Sequence, residues 1–176
     1  MKFVKTSFKD LYLVEPTLYK DERGFFTENF RKDIFENNIS YKIKICQHNI
    51  VESNFLVLRG LHYQIDPYAQ SKHISVLRGR ILDVVVDLRS NSKTYGKYFS
   101  VELSSENLKS LFVPKGFAHG YLTLSKKALV SYKVDNYFNK ESERGIRFDD
   151  EHLNIDWGIN KKKFILSEKD KNLSKF

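Results

Sequence analysis

Cysteine is almost absent from this 176-residue chain, with Cys46 standing alone. A single thiol excludes an intramolecular disulfide and any zinc site built on cysteines, and it suits a reducing compartment. Proline occurs 3 times and glycine 8 times, with no stretch rich enough in either to serve as a linker. The length fills one core comfortably and not two, so one domain over residues 1–176 is expected. No apolar run reaches the length of a bilayer span, and the opening MKFVKTSFKD lacks the apolar centre of a secretory signal. The expectation is a cytoplasmic protein without a membrane partner.

Also missing is a concentrated block of one charge. Lys and Arg number 30 against 22 Asp and Glu, a net charge of +8 with a sequence pI near 9.4, and such an excess first suggests a polyanionic partner. The lysines, however, run from Lys2 to Lys175 and bunch only at Lys161–Lys163. That distribution is a solvated basic face, so no nucleic-acid partner is expected. A phosphate-bearing small molecule stays open, because it needs only a few arginines aimed into one pocket.

What the chain has is 41% hydrophobic and 14% aromatic content in short segments. YKIKICQHNIV (41–51), ISVLRGRILDVVVDLR (74–89), KYFSVELS (97–104), SLFVPKG (110–116), HGYLTLS (119–125) and ALVSYKVDNYF (128–138) have strand length and are rich in β-branched and aromatic residues. Arg78-Gly79 between two apolar runs predicts a tight hairpin. Asn29–Asn38 has a helical pattern, and Ser105–Lys109 is expected to form a turn of helix. The profile is an all-β antiparallel sandwich or barrel, with a jelly roll as the leading candidate. The polar tail from Asp149 would fray by default, but Phe164, Ile165 and Leu166 give it an anchor, so docking through Asp170 is expected.

Several side chains admit two readings. In VLRGLHYQ, strict alternation puts Leu58, Gly60, His62 and Gln64 on one face and Arg59, Leu61 and Tyr63 on the other. A bulge at Gly60 would bring Arg59 to the side of His62. His62 is then either a core histidine satisfied by backbone or a reacting group. Asp83 and Asp87 share a face with Ile81 and Val85. A packed sheet exposes such carboxylates, the expectation for at least one of them, whereas a barrel with an internal pocket lets them orient a histidine or an arginine. His119 follows a Pro-Lys-Gly turn, where a solvated loop histidine is ordinary. The five histidines lack the close pair expected of a metal cluster, so no metal is expected. Tyr132 is in line with Val130 and Val134, as either a buried tyrosine or a proton donor beside a histidine base. Phe25, Phe26 and Phe138 are more often core than ligand platform. Arg23, on the Gly24 turn, can hold a phosphate bidentately.

DERGFFTENF, QHN, LRGLHYQ, QSK, RGRILDVVVDLRSNSKTYG, VPKGFAHGYLTLS, YKVDNYF, ESERGIRFDD, IDW and SEKD follow one another across nearly the whole chain. This ordered set resembles the dTDP-4-dehydrorhamnose 3,5-epimerase family, cupin-fold enzymes that act on nucleotide-linked 4-keto sugars. The resemblance implies a cupin-type jelly-roll barrel, no cofactor, His62 as general base with Asp170 as its partner, Tyr132 as proton donor and Lys72 beside the sugar carbonyl. It also places Arg23, Glu28, Gln47, Asn49, Arg59, His119, Phe138, Glu143 and Lys169 on the substrate, with the arginines directed largely at the diphosphate. It further implies a homodimer whose N-terminal strands cross into the partner, and a role in sugar biosynthesis for bacterial polysaccharides.

Two positions depart from the family pattern. Phe138 stands where a base-stacking tyrosine is usual, and His48 where the Gln-Asp-Asn triplet has its aspartate. Both bear on the nucleobase. A GDP-linked 4-keto-6-deoxy-heptose epimerase acting at carbon 3 alone, or at 3 and 5, is therefore an alternative, as is a 3,4-ketoisomerase. A non-catalytic sugar-nucleotide binding module is the alternative of another class.

Overall fold

The short alternating segments become strands that are apolar on at least one face. The computed structural model describes residues 1–39 and 42–176. In chain order the elements are β1 (Lys2–Lys5), β2 (Tyr12–Glu15), β3 (Tyr19–Asp21), β4 (Gly24–Phe26), α1 (Lys32–Asn38), β5 (Gln47–Asn54) and β6 (Leu58–Gln64). Then come β7 (Lys72–Arg78), β8 (Arg80–Asp87), β9 (Tyr98–Ser104), β10 (Ser110–Val113), β11 (Phe117–Thr123), β12 (Lys127–Val134), β13 (Glu143–Gly145) and α2 (Glu168–Lys171).

A six-stranded sheet, β1-β2-β10-β7-β12-β5, faces a five-stranded sheet, β13-β6-β11-β8-β9, with β3 and β4 paired apart from both. Neighbouring strands are antiparallel, in the manner of a cupin-type jelly roll. Ile74, Val76, Ile81, Val85, Leu111 and Val130 fill the space between the sheets. Both outer faces are also covered. α1 brings Phe35 onto Tyr12, Val14 and Phe112 of the larger sheet. The C-terminal segment lays Phe148, Leu153, Ile155 and Trp157 over Leu58, Leu61, Val84 and Leu122 of the smaller one.

The hairpin expected at Arg78-Gly79 does not form: β7 and β8 lie in opposite sheets, and Gly79, at φ +77°, is where the chain crosses between them. A Cβ there would stand 2.2 Å from the Lys127 carbonyl oxygen, so only glycine fits. The strand expected over 41–51 begins at Gln47. Tyr41 lies outside the described residues, and Ile43 is buried in the cluster around Phe35 instead of joining a sheet. The helix starts at Lys32 and not Asn29, because the Asn29 amide donates to Ser75 Oγ at 3.2 Å and Phe30 packs on Phe35 and His73. Residues 105–107 make a turn without a helix.

The tail docks beyond Asp170. Ile165 bridges to Val57 and Ser174 to Ile146, and the Phe176 N–H donates to Asp150 Oδ2 at 2.9 Å. Among the described residues no helix is long and apolar enough to cross a membrane.

Candidate active site

The Val57–Gln64 stretch is where the two sheets create a site. β6 pairs with β11 so that His62 faces His119 but Arg59 faces Tyr121, three steps on one strand against two on the other. The extra residue is a bulge at Gly60, whose φ is +122°. A Cβ there would lie 2.5 Å from Gly120 Cα and 2.8 Å from the His119 carbonyl oxygen. Strict alternation therefore fails. Leu58, Leu61 and Tyr63 pack on the outer cluster, while Arg59, His62 and Gln64 line the interior.

Two adjoining cavities of about 180 and 310 Å³ open on that interior, and both are bounded by His62, Lys72 and Tyr132. His62 comes from the smaller sheet, whereas Lys72 on β7 and Tyr132 on β12 come from the larger. Asp170 arrives from α2, where Ser167 caps the helix by accepting from the Asp170 N–H at 3.1 Å. Its Oδ1 lies 2.7 Å from His62 Nε2. Burial pushes the Asp170 carboxyl upward, but His62, the Ser167 hydroxyl and the Gly60 N–H outweigh it and hold the group below its ordinary value. An ionised carboxylate accepts the Nε2 proton, which leaves Nδ1 as the basic nitrogen.

Burial lowers the Lys72 ammonium from 10.5 to about 8, against the pull of Asp83 and Glu143. Burial also raises the Tyr132 phenol, partly countered by Arg59, so the hydroxyl keeps its proton at neutral pH. A nitrogen base, a poised cation and a phenolic acid thus border one enclosed space, a set suited to moving protons at a carbon next to a carbonyl.

The remaining expected residues divide. His119, expected in a loop, lies on β11 at 9% exposure, and its Nε2 is 2.7 Å from Oδ1 of the fully buried Asp83. Asp87 is equally buried and takes both Arg89 Nε and Nη2 at 2.8 Å. The expectation that at least one of these aspartates is solvated is therefore wrong: both lie on the face of β8 that carries Ile81 and Val85 into the space between the sheets, while the C-terminal layer covers the opposite face at Val84 and Val86. Glu143 pairs with Lys169 at 2.5 Å. Gln47 donates to Asn49 Oδ1 at 3.0 Å and accepts from the Phe138 N–H at 3.1 Å. Gln47, Asn49, Phe138 and Glu143 line the first cavity, and Arg59, His119, Lys169 and Asp170 the second.

Arg23 and Glu28 are not brought there. Arg23, 85% exposed in its side chain, is paired with Asp21 on the β3–β4 hairpin, and Glu28 is paired with Arg31 at 3.6 Å. Phe25, Phe26 and Phe138, read as core, are exposed at 55%, 65% and 56%. His48 points away from the cavities and bonds Ser131 at 2.8 Å. Its departure from the family triplet therefore does not touch the site. Sequence reasoning missed Tyr121, Ser167, Gln64 and Val51 in the cavity walls. For Tyr121 the signal was present, since it lies two residues from His119 in one strand and shares its face. Among the described residues no group of three or more His, Cys, Asp or Glu side chains is gathered to hold a metal.

Comparison with known proteins identifies the family. The family profile described as dTDP-4-dehydrorhamnose 3,5-epimerase matches residues 5–176. A curated relative of that name from Shigella flexneri is 44% identical over 176 residues, covering 100% of this chain and 96% of the relative. The crystal structure of dTDP-4-dehydrorhamnose 3,5-epimerase from Elizabethkingia anophelis superposes with a TM-score of 0.97 at 50% identity, covering 100% of this chain and 96% of that one. The dTDP-6-deoxy-D-glucose-3,5-epimerase of Legionella pneumophila, solved with dTDP-4-keto-L-rhamnose, gives 0.94 at 40% identity, covering 99% and 92%. With a profile match over nearly its full length and relatives this similar, the chain belongs to the dTDP-4-dehydrorhamnose 3,5-epimerase family.

Proposed function

We propose that this chain, acting as one domain in the cytoplasm, epimerises a dTDP-linked 4-keto-6-deoxy hexose at carbons 3 and 5, in the biosynthesis of rhamnose for bacterial polysaccharides. The observation that carries the reading is His62 on one sheet, paired with Asp170 of α2, facing Lys72 and Tyr132 on the other sheet across a shared cavity. A hydrogen on carbon beside a ketone becomes removable when the enolate oxygen is stabilised. His62 Nδ1 takes that proton while Asp170 holds the imidazolium, and the Lys72 ammonium meets the developing oxyanion. Tyr132 delivers its phenolic proton to the opposite face of the same carbon, inverting it. His62 then loses its proton, and Tyr132 regains one, by exchange with water. No carbon changes oxidation state over the cycle, so the reading calls for no redox cofactor.

Arg59 and Lys169 are assigned to the diphosphate; Gln47, Asn49 and Phe138 to the nucleoside; and His119 and Glu143 to the sugar. Arg23 and Glu28 are assigned to the site of a second copy in a homodimer. This is supported by the β3–β4 hairpin, which carries Tyr19, Phe25 and Phe26 at 60%, 55% and 65% exposure with Arg23 at its tip. Rings so exposed gain most from cover by another surface.

The test is incubation in deuterated water with dTDP-4-keto-6-deoxyglucose and, in parallel, with a GDP-linked 4-keto-6-deoxy-heptose. Deuterium at carbons 3 and 5 of the dTDP sugar, abolished by His62→Ala, is the expected result. Label at carbon 3 alone would reduce the activity to one centre, and binding without label would make the chain a binding module. Mixing Arg23→Ala with His62→Ala protein should restore activity that neither has alone, since the mixed dimer holds one complete site.

A further inference from the structure

Arg59 differs from Lys169, which borders the same cavity, in what holds it. Lys169 is paired with Glu143, whereas among the described residues Arg59 has no carboxylate within ion-pair distance. Two neutral groups hold its guanidinium instead: Nε donates to Ser53 Oγ at 2.9 Å and Nη2 to the Glu52 carbonyl oxygen at 3.4 Å. The Ser53 hydroxyl is in turn 3.0 Å from the Tyr121 hydroxyl. Ser53 and Tyr121 are 3% and 4% exposed, so the pair is held almost entirely within the protein. The three side chains come from β5, β6 and β11 and tie the edge of one sheet to the middle of the other.

A carboxylate in the place of Ser53 would fix the same geometry but would cancel the charge. Hydroxyl and carbonyl oxygens orient the planar fork and leave its full charge, with Nη1, available to an anion in the cavity. We propose that Ser53 and Tyr121 are positioning residues that hold Arg59, uncompensated, toward the substrate diphosphate; this rests on the function proposed above.

The test compares Ser53→Ala, Ser53→Thr, Tyr121→Phe and Arg59→Ala by steady-state exchange kinetics and by calorimetric binding of dTDP, which keeps the diphosphate and lacks the sugar. Ser53→Ala should raise KM about tenfold, equivalent to about 1.4 kcal/mol, with kcat within about threefold of the parent. Its dTDP affinity should fall in parallel, and Ser53→Thr, which keeps the hydroxyl, should restore both. Tyr121→Phe should show a smaller shift of the same kind while keeping the ring in the core. A purely structural role would lower the melting temperature without separating KM from kcat. Wild-type KM and dTDP affinity in both Ser53→Ala and Tyr121→Phe, or in Arg59→Ala, would overturn the assignment, as would a fall in kcat with KM unchanged. If the wild type exchanges no deuterium, the functional reading fails, and dTDP affinity alone decides the role of Ser53.

Discussion

His62 Nε2 lies 2.7 Å from Asp170 Oδ1, although 108 positions separate the two residues in the chain. The contact sets the tautomer and the orientation of the imidazole. Asp170→Asn keeps the shape and removes the charge, so deuterium incorporation should fall by about 10²-fold or more. A rate within a few-fold of the parent would show that His62 needs no ionised partner. Because the folded carboxyl lies below its ordinary value, its stabilising contribution is complete above the usual carboxylate range and is lost as pH falls through the lowered value. The variant should therefore lose less stability than the parent on acidification, as read by urea titrations.

Lys72 predicts an alkaline limit. Its ammonium is lowered to about 8, so the rate should decline as pH rises through that value. Between about 8 and the ordinary 10.5 the unfolded chain binds the proton that the folded chain has released. Stability therefore increases with pH across that window. Lys72→Met removes the cost of holding a cation inside, and it should raise Tm by about 2–4 °C while abolishing exchange. A lower Tm would show that the ammonium is well compensated in the fold.

Gly60→Ala should disrupt both fold and site. The added Cβ meets Gly120 Cα and the His119 carbonyl at 2.5 and 2.8 Å, at a φ of +122°. The backbone conformation alone costs about 1–3 kcal/mol, and relieving the contact moves β6 away from β11. Chemical denaturation should show at least that loss, with exchange reduced in the protein that still folds.

Trp157 tests the docking of the tail. It is 1% exposed, donates to the Phe148 carbonyl at 2.9 Å and packs edge-on against Phe164, just ahead of the α2 cap. Trp157→Ala should destabilise the protein by about 3–5 kcal/mol. On heating, exchange activity should be lost before the sheets unfold, because Asp170 reaches His62 only while this segment stays docked. Coincident loss of activity and sheet signal would show that tail and sheets unfold together.

Local pattern was enough to read the strand-rich class and a bulge at Gly60, whereas the roles given to His62, Lys72, Tyr132 and Asp170 came from the resemblance of the ordered motifs to the family. Alternation reports the two faces of a strand, and ordered motifs report residue types. Neither reports what lies beyond each face. Whether Gly79 turned a hairpin or carried the chain between sheets depended on which strands later paired. Whether Asp83 and Asp87 met water depended on the second sheet packing over their face of β8. The same holds for the union of Asp170 with His62, the clamp of Ser53 and Tyr121 on Arg59, and the separation of Arg23 from the cavity. Each is set by contacts between distant segments, whose geometry comes from packing two sheets and their covering layers against one another.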